Sequence, residues 1–189
     1  MNISPTEAEE ALVAIHAMMK KARRTISSSG AYLFLIVWGP VWLLGFLGQQ
    51  FLSQEVASKA WMILDILGGV LSVVLGVRLG RGVRRSSSTA SGWRIAAFWL
   101  LLFLYSFAAV TIAWPLDGKQ FAMFIILFVG VGWLAMGLLL DSASVWWGLA
   151  LTALALIGYF LLPGIFYLWM AILGGGGMIA LGLYIRSRW

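Results

Sequence analysis

Asp65 is the one acidic residue that falls inside a long apolar segment of this chain, and a carboxylate in that setting can take up a proton or bind a polar ligand. It is expected about one turn inside the outer end of its segment. If depth is matched across the first pair of apolar segments, Gln49 and Gln50 lie near the same level and add amide donors and acceptors. The flanking connections contribute Glu55, Lys59, Asp117 and Lys119, so the residues predict a small polar site open to the outer side. The structural alternative is a carboxylate close enough to the interface to reach water or a loop lysine.

Other chemistry finds little material. His16 is the sole histidine and lies among apolar and basic neighbours, so it makes no zinc site. An aspartyl membrane protease needs two carboxylates at depth, and a serine one needs a histidine there. Without cysteine there is no disulfide, Fe–S cluster or Cys-ligated zinc. The run Gly174-Gly175-Gly176-Gly177 lacks the strand, turn and Lys-Ser/Thr ending of a phosphate-binding loop. No catalytic residue, metal or cofactor is therefore expected, and the chain is not predicted to be an enzyme.

These residues are carried on a chain that is 62% hydrophobic and only 11% charged over 189 residues, a composition suited to lipid rather than water. Six apolar segments, 31–52, 61–80, 93–114, 121–140, 145–162 and 165–185, each approach the roughly 20 residues that cross a bilayer core. Lys20, Lys21, Arg23, Arg24, Arg78, Arg81, Arg84, Arg85, Arg94, Arg186 and Arg188 fall on one side of their alternation, and Lys59 and Lys119 on the other. Since short cytoplasmic loops carry the excess of Lys and Arg, the pattern predicts an all-α integral membrane protein of six spans, arranged as three hairpins with both termini cytoplasmic. Trp61, Trp114 and Trp169 at the outer ends, and Trp93, Trp146, Trp147 and Trp189 at the inner ends, match the aromatic belts of a bilayer. Trp38, Trp42, Trp99 and Trp133 lie deeper and are expected to pack. Short connections and the lack of cysteine fit a prokaryotic inner membrane.

Residues 1–30 precede the bundle 31–189 as a separate unit. Ser4-Pro5-Thr6-Glu7 forms a helix start with a capping box, and Ala8, Ala11, Leu12, Ile15, Met18, Met19, Ala22 and Ile26 line one face of the helix that follows. Lys20, Lys21, Arg23 and Arg24 gather at its end, before Ser27-Ser28-Ser29-Gly30 breaks it. The acidic opening, with Glu7, Glu9 and Glu10, is unlike a secretory signal. This amphipathic helix is expected on the cytoplasmic surface, where it and Arg78, Arg81 and Arg85 contact anionic lipid or a partner. Nucleic acid is not an expected partner, because no aromatic residues interleave with the cations.

Within the spans, Gly68, Ser72, Gly76 and Gly80 recur every four residues and predict close helix packing, within one chain or between copies. Gly174, Gly175, Gly176 and Gly177 make the last span similarly smooth. Gly39-Pro40 interrupts the first span, frees the carbonyl of Ile36 and predicts a kink or hinge. Aligning Trp61-Met62 with Trp169-Met170 superposes Gly68-Gly69 on Gly176-Gly177, which hints at a repeat of the first and third hairpins.

Two functions follow as expectations. The first is an accessory or regulatory subunit that engages a partner or the inner leaflet through its N-terminal helix and basic face. The second is a small-molecule carrier or substrate-binding transporter subunit with its site near the kinked first span and Asp65. In size, span number and cytoplasmic termini the chain resembles the substrate-binding components of energy-coupling-factor vitamin transporters, whose small-residue stripes dock a partner. The resemblance implies a stripe on the first span, whereas the clearest one here is on the second.

Overall fold

The computed structural model describes residues 31–83, 89–139 and 143–188, and among these it is all-helical, without a strand. Helix α1 runs Ala31–Phe51, α2 Gln54–Val83, α3 Thr89–Ala113, α4 Gly118–Leu139 and α5 Ala143–Leu161. A last span combines α6, Phe166–Trp169, a π-helical stretch, Met170–Gly176, and α7, Gly177–Arg188. Four stretches, Tyr32–Phe51, Gln54–Leu79, Gly118–Leu138 and Phe166–Ser187, are long and apolar enough to cross a membrane. Ala97–Ala113 and Val145–Leu161 are shorter apolar helices. The N-terminal segment 1–30, with Lys20, Lys21, Arg23 and Arg24, lies outside the described residues, as do Arg84 and Arg85.

The second segment departs from its expected start at 61. Polar residues from Gln54 to Lys59 suggested a loop, yet they form the first turns of α2. Ser58 Oγ donates back to Gln54 O at 2.8 Å, and the Lys59 ammonium meets Glu55 Oε1 at 2.6 Å one turn away. Spacing of i,i+4 lets opposite charges support a solvated helix start, so hydropathy loses the helix where helical pairing continues it.

The core draws on four elements. Val41, Trp42 and Phe46 from α1, Met123 and Ile126 from α4, Ala155 from α5, and Phe166, Met170 and Ala171 from the last span form one buried cluster. Trp42 and Phe46 meet edge to face at 5.6 Å, and Phe46 meets Trp61 likewise at 5.0 Å. Helix α1 packs along the whole of the last span, and α4 packs along α5. Helices α2 and α3 are peripheral: α2 lies against α1, and α3 against α4. Only 6% of the α2 stretch is buried within the molecule, against 33% for α1.

Lipid is as apolar as a leucine side chain, so helices in a bilayer associate by fitting closely rather than by escaping water. Here the fit is made by indoles seated on glycines. A methyl group at Gly45 would lie 2.6 Å from the Trp61 ring, one at Gly132 2.6 Å from Trp99, and one at Gly158 2.6 Å from Trp169. Gly68 similarly faces Trp38 at 3.4 Å, and Gly174 faces Trp42 at 3.4 Å. Trp61 and Trp169, expected in the outer belt, thus fill notches on the preceding helices, and the Trp169 Nε1–H donates to Leu154 O at 2.9 Å. Trp114, by contrast, is 65% exposed in the connection before α4, where a cis peptide joins it to Pro115.

Candidate functional site

The polar side chains at the end of the bundle that carries the α1–α2, α3–α4 and α5–α6 connections form a clasp. Gln49 Nε2 donates to Gln54 Oε1 at 3.0 Å across the two-residue turn between α1 and α2. Gln50 Nε2 donates to Gly164 O at 3.5 Å, while its Oε1 accepts from the Leu168 N–H at 3.4 Å. Lys119 Nζ donates to Pro163 O at 2.7 Å. Asp117 caps α4, its Oδ1 accepting from the N–H groups of Lys119 and Gln120 at 2.8 Å each, and Gln120 Oε1 accepts from Asp117 N–H at 3.0 Å. This reciprocal pairing satisfies donors that a helix start otherwise leaves open. Gly118 completes the clasp, since a methyl there would lie 2.9 Å from the Tyr167 hydroxyl and 3.4 Å from Gln49 Nε2.

Removing one side chain from the clasp, the single short bond of Lys119 or the two long ones of Gln50, should cost about 1 kcal/mol. Lys119→Met and Gln50→Ala are each expected to lose that much in mixed-micelle unfolding followed by circular dichroism. The double variant should lose less than the sum, because both side chains restrain the same α5–α6 connection.

Asp65 is not brought to the glutamines. Contacts of Gly45 with Trp61 and of Gly68 with Val41 set the register of the first hairpin, and Asp65 falls between them, level with the middle of α1. Gln49 lies one turn above the Gly45 level and Asp65 one turn below it, a separation of roughly 12 Å along the axis. The expected position near the outer end is corrected by the same register. The Asp65 side chain is exposed on the flank of α2 and has no hydrogen-bond or ion-pair partner among the described residues.

Gly39 and Pro40 lie within α1, which runs as one continuous helix from Ala31 to Phe51, and Gly39 is packed against the last span. A methyl at Gly39 would lie 2.9 Å from the Ile179 backbone nitrogen and 3.1 Å from Gly175 O. One at Gly175 would overlap the Leu43 backbone nitrogen and lie 2.9 Å from Gly39 O. Gly174 also packs on Met170, whereas a methyl on Gly176 would just reach Ala171 O at 3.9 Å and one on Gly177 would meet nothing within 4 Å.

The stripe on α2 is divided. Gly68 packs on Val41 and Trp38, and Ser72 Oγ accepts from Trp38 Nε1–H at 3.0 Å, so both belong to the α1 interface. Gly76 has nothing within 4 Å of a built methyl, nor has Gly69 beside it. Of Gly80 and Arg81 only the helical backbone is described, and Arg78 is exposed near that end.

Sequence reasoning missed Gln54, Gly118 and Tyr167 of the clasp and Gly45, Gly132 and Gly158 of the notches. The usable signal was a glycine facing a tryptophan at equal depth across a hairpin. No protein-family model, curated protein or solved structure matches the chain. Its function has to be read from this geometry.

Proposed function

We propose that the protein is a six-span inner-membrane protein with both termini cytoplasmic, acting by association as an accessory or regulatory subunit rather than by catalysis. One observation carries the reading: α2 packs along α1, and Asp65 stands on its uncovered flank. A carrier would need its polar groups to converge on a space within the bundle. Here the outer amides tie connections together, Gly39 is packed against the last span, and Asp65 is exposed on α2. The N-terminal helix over residues 1–26 supplies a second contact. With Lys20, Lys21, Arg23 and Arg24 in that segment, and Arg78, Arg81 and Arg85 expected on the same side of the membrane, attraction to an anionic leaflet amounts to about 1 kcal/mol per basic residue near the surface.

The absence of cysteine makes the orientation simple to test. Single variants Ser53→Cys and Gly164→Cys should react with an impermeant maleimide in intact cells, and Ser87→Cys and Ser187→Cys only after permeabilisation; the opposite pattern overturns the topology. Association is read by extracting the protein with its surrounding lipid in polymer-bounded nanodiscs. A stoichiometric partner should accompany it and be lost on deleting residues 1–26, while the bundle still inserts. Recovery of the full chain as a lone monomer refutes the association.

A further inference from the structure

Asp65, Gly69, Ser72 and Gly76 stand at i, i+4, i+7 and i+11 and so form one seam along α2. Ser72 marks its border with α1, because its hydroxyl already accepts from Trp38. Beyond that border the helix backbone is bare: methyl groups on Gly69 or Gly76 would meet nothing within 4 Å. Met62 and Val73, 58% and 68% exposed, rim the far side. The Asp65 carboxylate sits at one end of this groove, in an apolar stretch and at the depth of the middle of α1.

An ionised carboxylate facing acyl chains is costly, and a cation at the same depth removes the cost for both charges. This chain offers none among its described residues. Lys59 is held by Glu55 toward the outer end, and Lys119 by Pro163 O. Arg78 lies 13 positions further along α2, roughly 20 Å below Asp65. A second copy meeting the same seam would bring Asp65 against Asp65. The charge therefore selects a different polypeptide, and the two open glycines allow its backbone to come close.

We propose that this seam binds a transmembrane helix of another protein that carries a lysine or arginine near its middle. The inference rests on the association reading and specifies the chemistry of the partner. The probe is a synthetic Leu/Ala transmembrane peptide of roughly 22 residues with one central lysine. Its binding to the full-length chain is followed by energy transfer in phosphatidylcholine vesicles, with the donor on Ser53→Cys. The lysine peptide should bind at least about tenfold more tightly than the same peptide with a central leucine.

Asp65→Asn should erase that preference. Gly69→Leu combined with Gly76→Leu should weaken the lysine peptide to the level of the leucine one. Neither change should alter the unfolding midpoint, since Asp65 is exposed and a methyl on either glycine meets nothing within 4 Å, and Gly177→Leu should leave binding unchanged. Equal binding of the two peptides by the unaltered chain, or an undiminished preference in Asp65→Asn, overturns the proposal. So does chain-to-chain energy transfer through α2 that is equal in Asp65→Asn, which would make a second copy the occupant. A native partner that stays bound to both α2 variants refutes this site and leaves association standing, whereas a lone monomer in native nanodiscs refutes association itself.

Discussion

Gly175→Ala should destabilise the bundle by about 3 kcal/mol, and Gly175→Leu should prevent α1 and the last span from closing. The reason is what a side chain would strike. Most overpacked sites relax by turning a flexible neighbour, but here the obstacles are the backbone nitrogen and Cα of Leu43 and the carbonyl of Gly39. Two helices would have to separate along their full contact. Gly177→Ala, two positions further on, is the matched control, because its added methyl meets nothing. Replacing glycine in a helix by alanine should there be neutral or favourable by up to roughly 1 kcal/mol. Unfolding in mixed micelles, followed by circular dichroism and tryptophan emission, distinguishes the two. Equal midpoints for Gly175→Ala and the unaltered chain would show that the crossing is not as close as described.

Phe166→Ala is the second large effect, with an expected loss of about 3 kcal/mol. Phe166 is fully buried, meeting Tyr159 edge to face at 6.0 Å and Tyr167 at 5.4 Å. Its ring edge also stands 3.3 Å from the Cβ position of Gly158, beside the Trp169 indole. Truncation therefore opens a cavity where α5 and the last span meet. Because the unfolded reference in a membrane is also apolar, the loss comes from packing rather than from transfer out of water. Phe107→Ala on α3 deletes the same ring from a site that is 74% exposed and should be nearly silent. A similar loss at both positions would contradict a core centred on α1, α4, α5 and the last span.

Much of the helical pattern was legible because lipid selects on composition. Runs of apolar residues near the length of a bilayer core identify helices without any knowledge of their neighbours. The start of α2 was not legible, since Glu55 and Lys59 read as a loop by hydropathy and as a supported helix by pairing. The π-helical stretch was equally hidden. Four consecutive glycines announce a surface that another backbone can approach, but the contacts of Gly175 with Gly39 and Leu43 emerge only once α1 is in place. Asp65 shows the same division. Its cost in lipid could be read from its type, while its separation from Gln49 and Gln50 depends on the register set by Gly45 against Trp61 and Gly68 against Val41. The stripe on α2 looked uniform in sequence, and one neighbour, Trp38, splits it into a used half and an unused half.

The extensive contact between α1 and the last span also fixes an order of events during synthesis. Four helices are made between these two, so α1 enters the bilayer well before the segment whose glycines pack against Gly39 and Leu43. Until then it has α2 beside it, and the surface around Gly39, Leu43 and Phe46 stays open to lipid or to whatever assists insertion. The core therefore closes late. A chain cut before Phe166 should give a membrane-inserted but unclosed species, and in the full chain substitutions at Gly175 should delay closure without affecting the insertion of α1.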